Sequence, residues 1–274
     1  MRVCIVAQPT IMAHRHRWRE ISPAAVMACV DTFRRCMAWI RRHVPGSCPL
    51  CAQRTMAGEL CRYCQASVLA SMTTQVPRCL RCCLSLDSQG HCADCRRQRF
   101  AFDRVTAVFD YAHPGDLLVR RYKEEHRFGL APMLAGMMSD ALDRAVLSEG
   151  APDIVVPVPG HARALRDRGF SPAAELAVHL SFVRGLPIDY RLLLRRDHWA
   201  VAQKTLGREA RARQAGSLYH CSRSVRGLHV MVVDDVVTTG STLHAVAKAL
   251  KAAGANRVSA VVLARTPDHR SSGR

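Results

Sequence analysis

Residues 230–242 read VMVVDDVVTTGST: four apolar residues, two adjacent carboxylates, and a turn crowded with hydroxyls around one glycine. The apolar run predicts a buried strand, LHVMVVDD (228–235), and TLHAVAKALKAAG (242–254), apolar at helical spacing and closed by Gly254, predicts a helix. In an open parallel sheet, ligands bind at the carboxyl ends of strands, where turn amides and a helix N-terminus face an anion. Thr238, Thr239, Gly240, Ser241 and Thr242 suit a phosphate, with Gly240 permitting close approach. Asp234 and Asp235 are acceptors only, which suits vicinal sugar hydroxyls. A pair that merely ends a strand and caps a helix is the plain alternative, but the whole string describes a ribose phosphate site.

Outward from this stretch the pattern repeats. FAFDRVTAVFDY (100–111) reads as one or two short strands, DIVVPVP (153–159) as a buried strand, and RVSAVVLAR (257–265) as a final strand. Ser171 and Pro172 open a helix that runs to about Arg184. Strands alternating with helices predict an α/β fold with a mostly parallel sheet covered on both faces. A composition 49% hydrophobic and only 5% aromatic points the same way. No apolar run approaches the roughly 18 to 20 residues of a membrane span.

Eight of the thirteen cysteines form C-x-x-C pairs: Cys48 with Cys51, Cys61 with Cys64, Cys79 with Cys82, and Cys92 with Cys95. Each tight turn lets two thiolates reach one ion, and two turns complete a tetrahedral site suited to zinc. In both halves nine residues separate the turns, so the unit is repeated. The simplest grouping puts Cys48, Cys51, Cys61 and Cys64 on one zinc and Cys79, Cys82, Cys92 and Cys95 on another; an interleaved grouping stays open, and Cys83 is a register alternative. Four thiolates leave no open coordination position, so both zincs are expected to be structural. The evenly repeated C-x-x-C pairs and the lack of an evident cleavable leader predict metal-bound thiolates in a reducing cytoplasm.

The formal charge of +18 favours polyanionic partners, although only four of the forty basic residues are lysines, as arginine-rich codon usage would also produce. Four segments are expected: a basic extension (1–44), a double zinc ribbon (45–99), a sheet domain (100–266) and a disordered tail (267–274). The extension reads either as an amphipathic helix from Pro23 or as sequence ahead of a translation start at Met12 or Met27.

The stretch 230–242 resembles the phosphoribosyl pyrophosphate (PRPP) loop of type I phosphoribosyltransferases. With the cysteine pairs, VRRYKEEHR (119–127), VPVPGHARALRDRGFSPA (156–173) and RRDHWAVAQKTLGREARARQ (195–214), the chain resembles the ComF family of competence proteins over about residues 45–266. The resemblance implies a double zinc ribbon joined to a type I phosphoribosyltransferase-like domain. It implies that Asp234 and Asp235 bind the ribose hydroxyls and are the catalytic candidates, that 238–242 hold the 5-phosphate, and that magnesium accompanies PRPP. Arg163, beside the VPVP turn, and Lys123 are the expected further phosphate contacts, and Gln203, Leu206, Arg211 and Arg213 match a mobile loop. Thr238 stands where some purine-specific members carry a third carboxylate, so purine salvage gains no support. The function implied is PRPP binding in DNA uptake and natural transformation, with single-stranded DNA and an uptake helicase or other competence proteins as partners. The alternative is an active transferase that moves the phosphoribosyl group from PRPP to an unidentified base or amine.

Overall fold

The computed structural model describes residues 44–73, 76–145, 150–161, 165–166, 169–196 and 218–267. In chain order the elements are β1 (Pro45–Ser47), β2 (Arg54–Met56), α1 (Arg62–Thr73), α2 (Ala93–Arg97), β3 (Arg104–Asp110), α3 (Gly115–Lys123), α4 (Ala131–Arg144), β4 (Ile154–Pro157), α5 (Pro172–Arg184), β5 (Leu193–Arg195), β6 (Tyr219–Cys221), β7 (His229–Val237), α6 (Ser241–Ala252) and β8 (Arg257–Arg265). The expectations for residues 1–43 and for the tail beyond Pro267 lie outside the described residues.

Along β7 successive side chains point to opposite faces, as strand geometry requires. Val230 and Val232 enter one hydrophobic cluster with Leu243, Val246, Ala247 and Leu250 of α6. Met231 and Val233 enter another with Leu134 and Met138 of α4 and Leu176 and Leu180 of α5. Burial on both sides explains the unbroken apolar run, since each such side chain gains about 1.5–3 kcal/mol on leaving water. The sheet order is β3–β8–β7–β4 and every neighbouring pair is parallel. The α/β expectation is therefore met, and the carboxyl ends of four strands share one edge of the layer.

Local signals place the helices. The Ser171 hydroxyl accepts from the Ala174 N–H at 3.3 Å, Pro172 opens α5, and Gly185 at φ 66° ends it. The two cysteine units repeat in three dimensions. In the first, β1 and β2 flank the Cys48 turn, with the Ala52 N–H donating to the Cys48 carbonyl at 2.9 Å. In the second, Arg78 bridges Ser85 and the Cys83 N–H donates to the Cys79 carbonyl at 2.9 Å. Ala52 and Cys83, each just after its turn, share a left-handed φ of 61°.

The cysteine units sit against the sheet. Helix α1 packs on β3, and Cys82, Leu84, Phe100 and Phe102 belong to the α6-side cluster. The Arg78 guanidinium binds both Asp110 oxygens at 2.9 and 2.8 Å, and the Asp110 N–H donates to the Ser71 hydroxyl at 3.0 Å. The Val105 N–H donates to the Arg81 carbonyl at 2.7 Å.

Candidate phosphoribosyl site and cysteine clusters

Strand β7 runs two residues further than the apolar pattern indicated, because Val236 and Val237 continue the pairing with Ala264 and Arg265 of β8. Asp234 and Asp235 thus project from a paired strand, not from a fraying end. The Asp235 N–H donates to Asp234 Oδ1 at 2.9 Å, and the Val236 N–H to Asp235 Oδ1 at 2.8 Å. Lys123, the last residue of α3, brings its Nζ to 2.7 Å from Asp235 Oδ2. Burial, then the like charge of Asp235, pushes the Asp234 carboxyl well above the ordinary carboxylate value, against the pull of its backbone donor and Lys123.

Beyond β7 the chain turns at Gly240, φ 75°, into the twelve-residue helix α6. Thr238, Thr239, Ser241 and Thr242 are exposed around the helix start. Thr239 Oγ1 donates to the Ser241 hydroxyl at 3.0 Å and accepts from the Ser241 N–H at 3.4 Å. Hydroxyls and first-turn amides at a positive helix end can seat an anion. Acceptors for hydroxyls, one ammonium and this seat lie side by side, as a sugar phosphate demands.

Each cysteine group brings its four sulfurs within 4.8 Å of one another: Cys48, Cys51, Cys61 and Cys64 in one, Cys79, Cys82, Cys92 and Cys95 in the other. Sulfur separations of 3.7 Å for Cys51–Cys61, 3.6 Å for Cys79–Cys95 and 3.3 Å for Cys82–Cys92 are far from a disulfide. They approach the edge of about 3.8 Å that a tetrahedron with metal–sulfur bonds of about 2.3 Å requires. Burial, with the neighbouring sulfurs, pushes the Cys64, Cys82 and Cys95 thiols up. Cys48 is held down to about 6 despite its burial, by backbone donors of Cys61, Cys51 and Leu50. Four such thiols ionise together only around a cation, and the donor set fits zinc. Cys83 is buried outside both groups.

A phosphoribosyl transferase domain model matches residues 140–273. A DNA utilization protein YhgH of Salmonella typhi is 32% identical over 231 residues, spanning 81% of this chain and 98% of the relative. The chain belongs to the ComF/YhgH family. Within that family, competence protein F of Haemophilus influenzae is 28% identical to it over 212 residues, 75% of this chain and 90% of the relative. Among solved structures, the glutamine PRPP amidotransferase from B. subtilis complexed with ADP and GMP aligns at 21% identity over 50% of this chain and only 25% of that one. Its TM-score of 0.34 is too low to carry an argument. This ComF/YhgH protein thus combines a phosphoribosyltransferase domain with two Cys4 groups.

The structure brings together Asp234, Asp235, Lys123 and the 238–242 loop. Arg163 and the loop residues Gln203, Leu206, Arg211 and Arg213 lie outside the described residues. The VPVP turn lines a cleft of about 230 Å³ with His161, Phe170, Ser171 and Tyr190. Among the described residues, no helix is long and apolar enough to cross a membrane. Sequence reasoning missed Arg265, whose signal was a charge directly after the apolar run at 260–264, and Phe100, whose ring lies beneath Gly240.

Proposed function

We propose that this ComF/YhgH protein binds PRPP with magnesium at the carboxyl end of β7 and acts in DNA uptake and natural transformation. One observation carries the reading: the Lys123–Asp235 pair at 2.7 Å stands beside a hydroxyl-rich loop that starts a twelve-residue helix. Asp234 and Asp235 accept from the ribose hydroxyls, residues 238–242 hold the 5-phosphate, and Lys123 faces the pyrophosphate. Magnesium, when bound with PRPP, neutralises pyrophosphate charge. Zinc in each Cys4 group is structural and suits a reducing cytoplasm. Exposed Arg81, Arg96, Arg97 and Arg99 on the second cysteine unit, with the net charge of +18, support binding of single-stranded DNA without sequence readout.

Calorimetric titration of the zinc-loaded chain with PRPP and magnesium tests the reading. Saturable binding that Asp234→Ala plus Asp235→Ala abolishes is expected; no binding by the wild type would discard it. Transfer to a base or amine is a second reading, favoured by the Asp234 carboxyl, which burial and then the charge of Asp235 raise well above the ordinary carboxylate value. Its measure is magnesium-dependent pyrophosphate release with candidate acceptors.

A further inference from the structure

The underside of the phosphate loop rests on the second cysteine unit. Arg265 closes β8 and is 1% exposed. Its Nη1 donates to the carbonyls of Val237 at 3.2 Å, Thr266 at 3.3 Å and Thr238. From the same guanidinium, Nε donates to the Cys82 carbonyl at 3.1 Å and Nη2 to Asp94 Oδ2 at 2.5 Å. Cys82 belongs to the second Cys4 group, and Asp94 lies between two further members, Cys92 and Cys95. One rigid fork therefore holds the entry of the loop and the second cluster at once.

A separate contact holds the exit of the loop. A Cβ on Gly240 would stand 3.1 Å from the Phe100 ring, which stacks on Phe102 at a centroid distance of 4.6 Å. His244 Nδ1, in the first turn of α6, accepts the Ala101 N–H at 3.0 Å. Residues 100–102 follow directly on the second cysteine unit.

In a trans peptide the carbonyl and the next N–H point in opposite directions. A guanidinium that draws the Val237 and Thr238 carbonyls inward thereby turns the Thr238 and Thr239 amides away from the core. We infer that Arg265 is a positioning residue that makes the Cys79, Cys82, Cys92 and Cys95 cluster part of the phosphate-binding apparatus, so that metal loss there weakens PRPP binding. The first cluster has a different seat, through α1 on β3. The inference rests on the PRPP reading above and adds a second requirement to it.

Calorimetry on the full zinc-loaded chain, with PRPP and magnesium, separates Kd from stoichiometry. Arg265→Met, and Cys79→Ser plus Cys95→Ser, should each raise Kd about tenfold or more, with Asp94→Asn as a milder variant that spares the metal ligands. Arg265→Lys should recover part of the loss, and Cys51→Ser plus Cys64→Ser should raise Kd by less than about threefold. With cobalt(II) in place of zinc, adding PRPP should shift the ligand-field bands of the second site in wild type but not in Arg265→Met. If wild type binds PRPP and the Arg265 and Asp94 variants lose only stoichiometry at unchanged Kd, the residues merely support folding and the coupling is wrong. If wild type itself does not bind, the PRPP reading fails and the coupling fails with it.

Discussion

Among the described residues between 45 and 99, the buried cysteines Cys48, Cys61, Cys82, Cys83 and Cys92 outnumber the buried aliphatic side chains, which are Val68 and Leu84. In β7 and β8, by contrast, the interior is Val230, Met231, Val232, Val233, Val258, Val261, Val262 and Leu263, enclosed by helices on both faces. Two aliphatic side chains gain a few kcal/mol on burial, whereas ordering each residue costs about 1–2 kcal/mol, so the cysteine units need another source of order. Metal coordination by the two Cys4 groups, as proposed above, would supply it. The sheet is held by area removed from water, and the cysteine units by eight sulfurs.

The largest test of that contrast is chelation. Structural zinc contributes on the order of 10 kcal/mol per site at neutral pH, so stripping it should abolish hydrogen-exchange protection in residues 45–99 while β7 and β8 keep theirs. A single transition that melts both regions together would dissolve the distinction. Next in size is the bridge between them. Arg78 and Asp110 have side chains only 14% exposed, and Arg78→Met should cost about 3–5 kcal/mol in denaturant melts because the Asp110 charge is left behind. A loss under about 1 kcal/mol would make the pair a surface contact.

Gly240→Ala comes third. A side chain at φ 75° that also meets the Phe100 ring should cost about 1–3 kcal/mol in thermal melts. The smallest effect has the opposite sign. Asp234 has a folded carboxyl value raised by burial and then by Asp235, so its contribution to stability is complete below the unfolded value and is lost as pH rises through the folded one. Asp234→Asn should therefore leave Tm unchanged near about pH 3, raise it by about 2–4 °C at neutral pH, and weaken PRPP binding. A lower Tm at neutral pH would show that the carboxylate is structurally required.

What was legible in the sequence was local. Unbroken apolar runs and turn residues gave β4, β7 and β8 to within a few residues, and the even nine-residue spacing of the C-x-x-C pairs gave the simplest grouping of the sulfurs, which the structure adopts over the interleaved one. The end of β7 was missed because two carboxylates imitate a strand end, while the pairing of Val237 with Arg265 is set by a neighbour that local pattern does not see. Lys123 was read as a phosphate contact, yet its ion pair with Asp235 joins residues from separate elements. Arg265 escaped for the same reason: its carboxylate partner, Asp94, is 171 positions away. Spacing rules reach a turn or two along the chain, and the support beneath the site is built from longer contacts.

Strand β3 ends the sheet order, so among the described residues one of its sides has no strand beside it. An open strand edge is a template for another chain. The second cysteine unit answers this at Val105, whose N–H is taken by the Arg81 carbonyl at 2.7 Å, one residue before Cys82 of the second Cys4 group. Metal loss would uncover that backbone donor on a largely buried, apolar strand. Metal-free protein should then be recognised first by self-association, and ions held by the second Cys4 group would guard against aggregation as much as brace the fold.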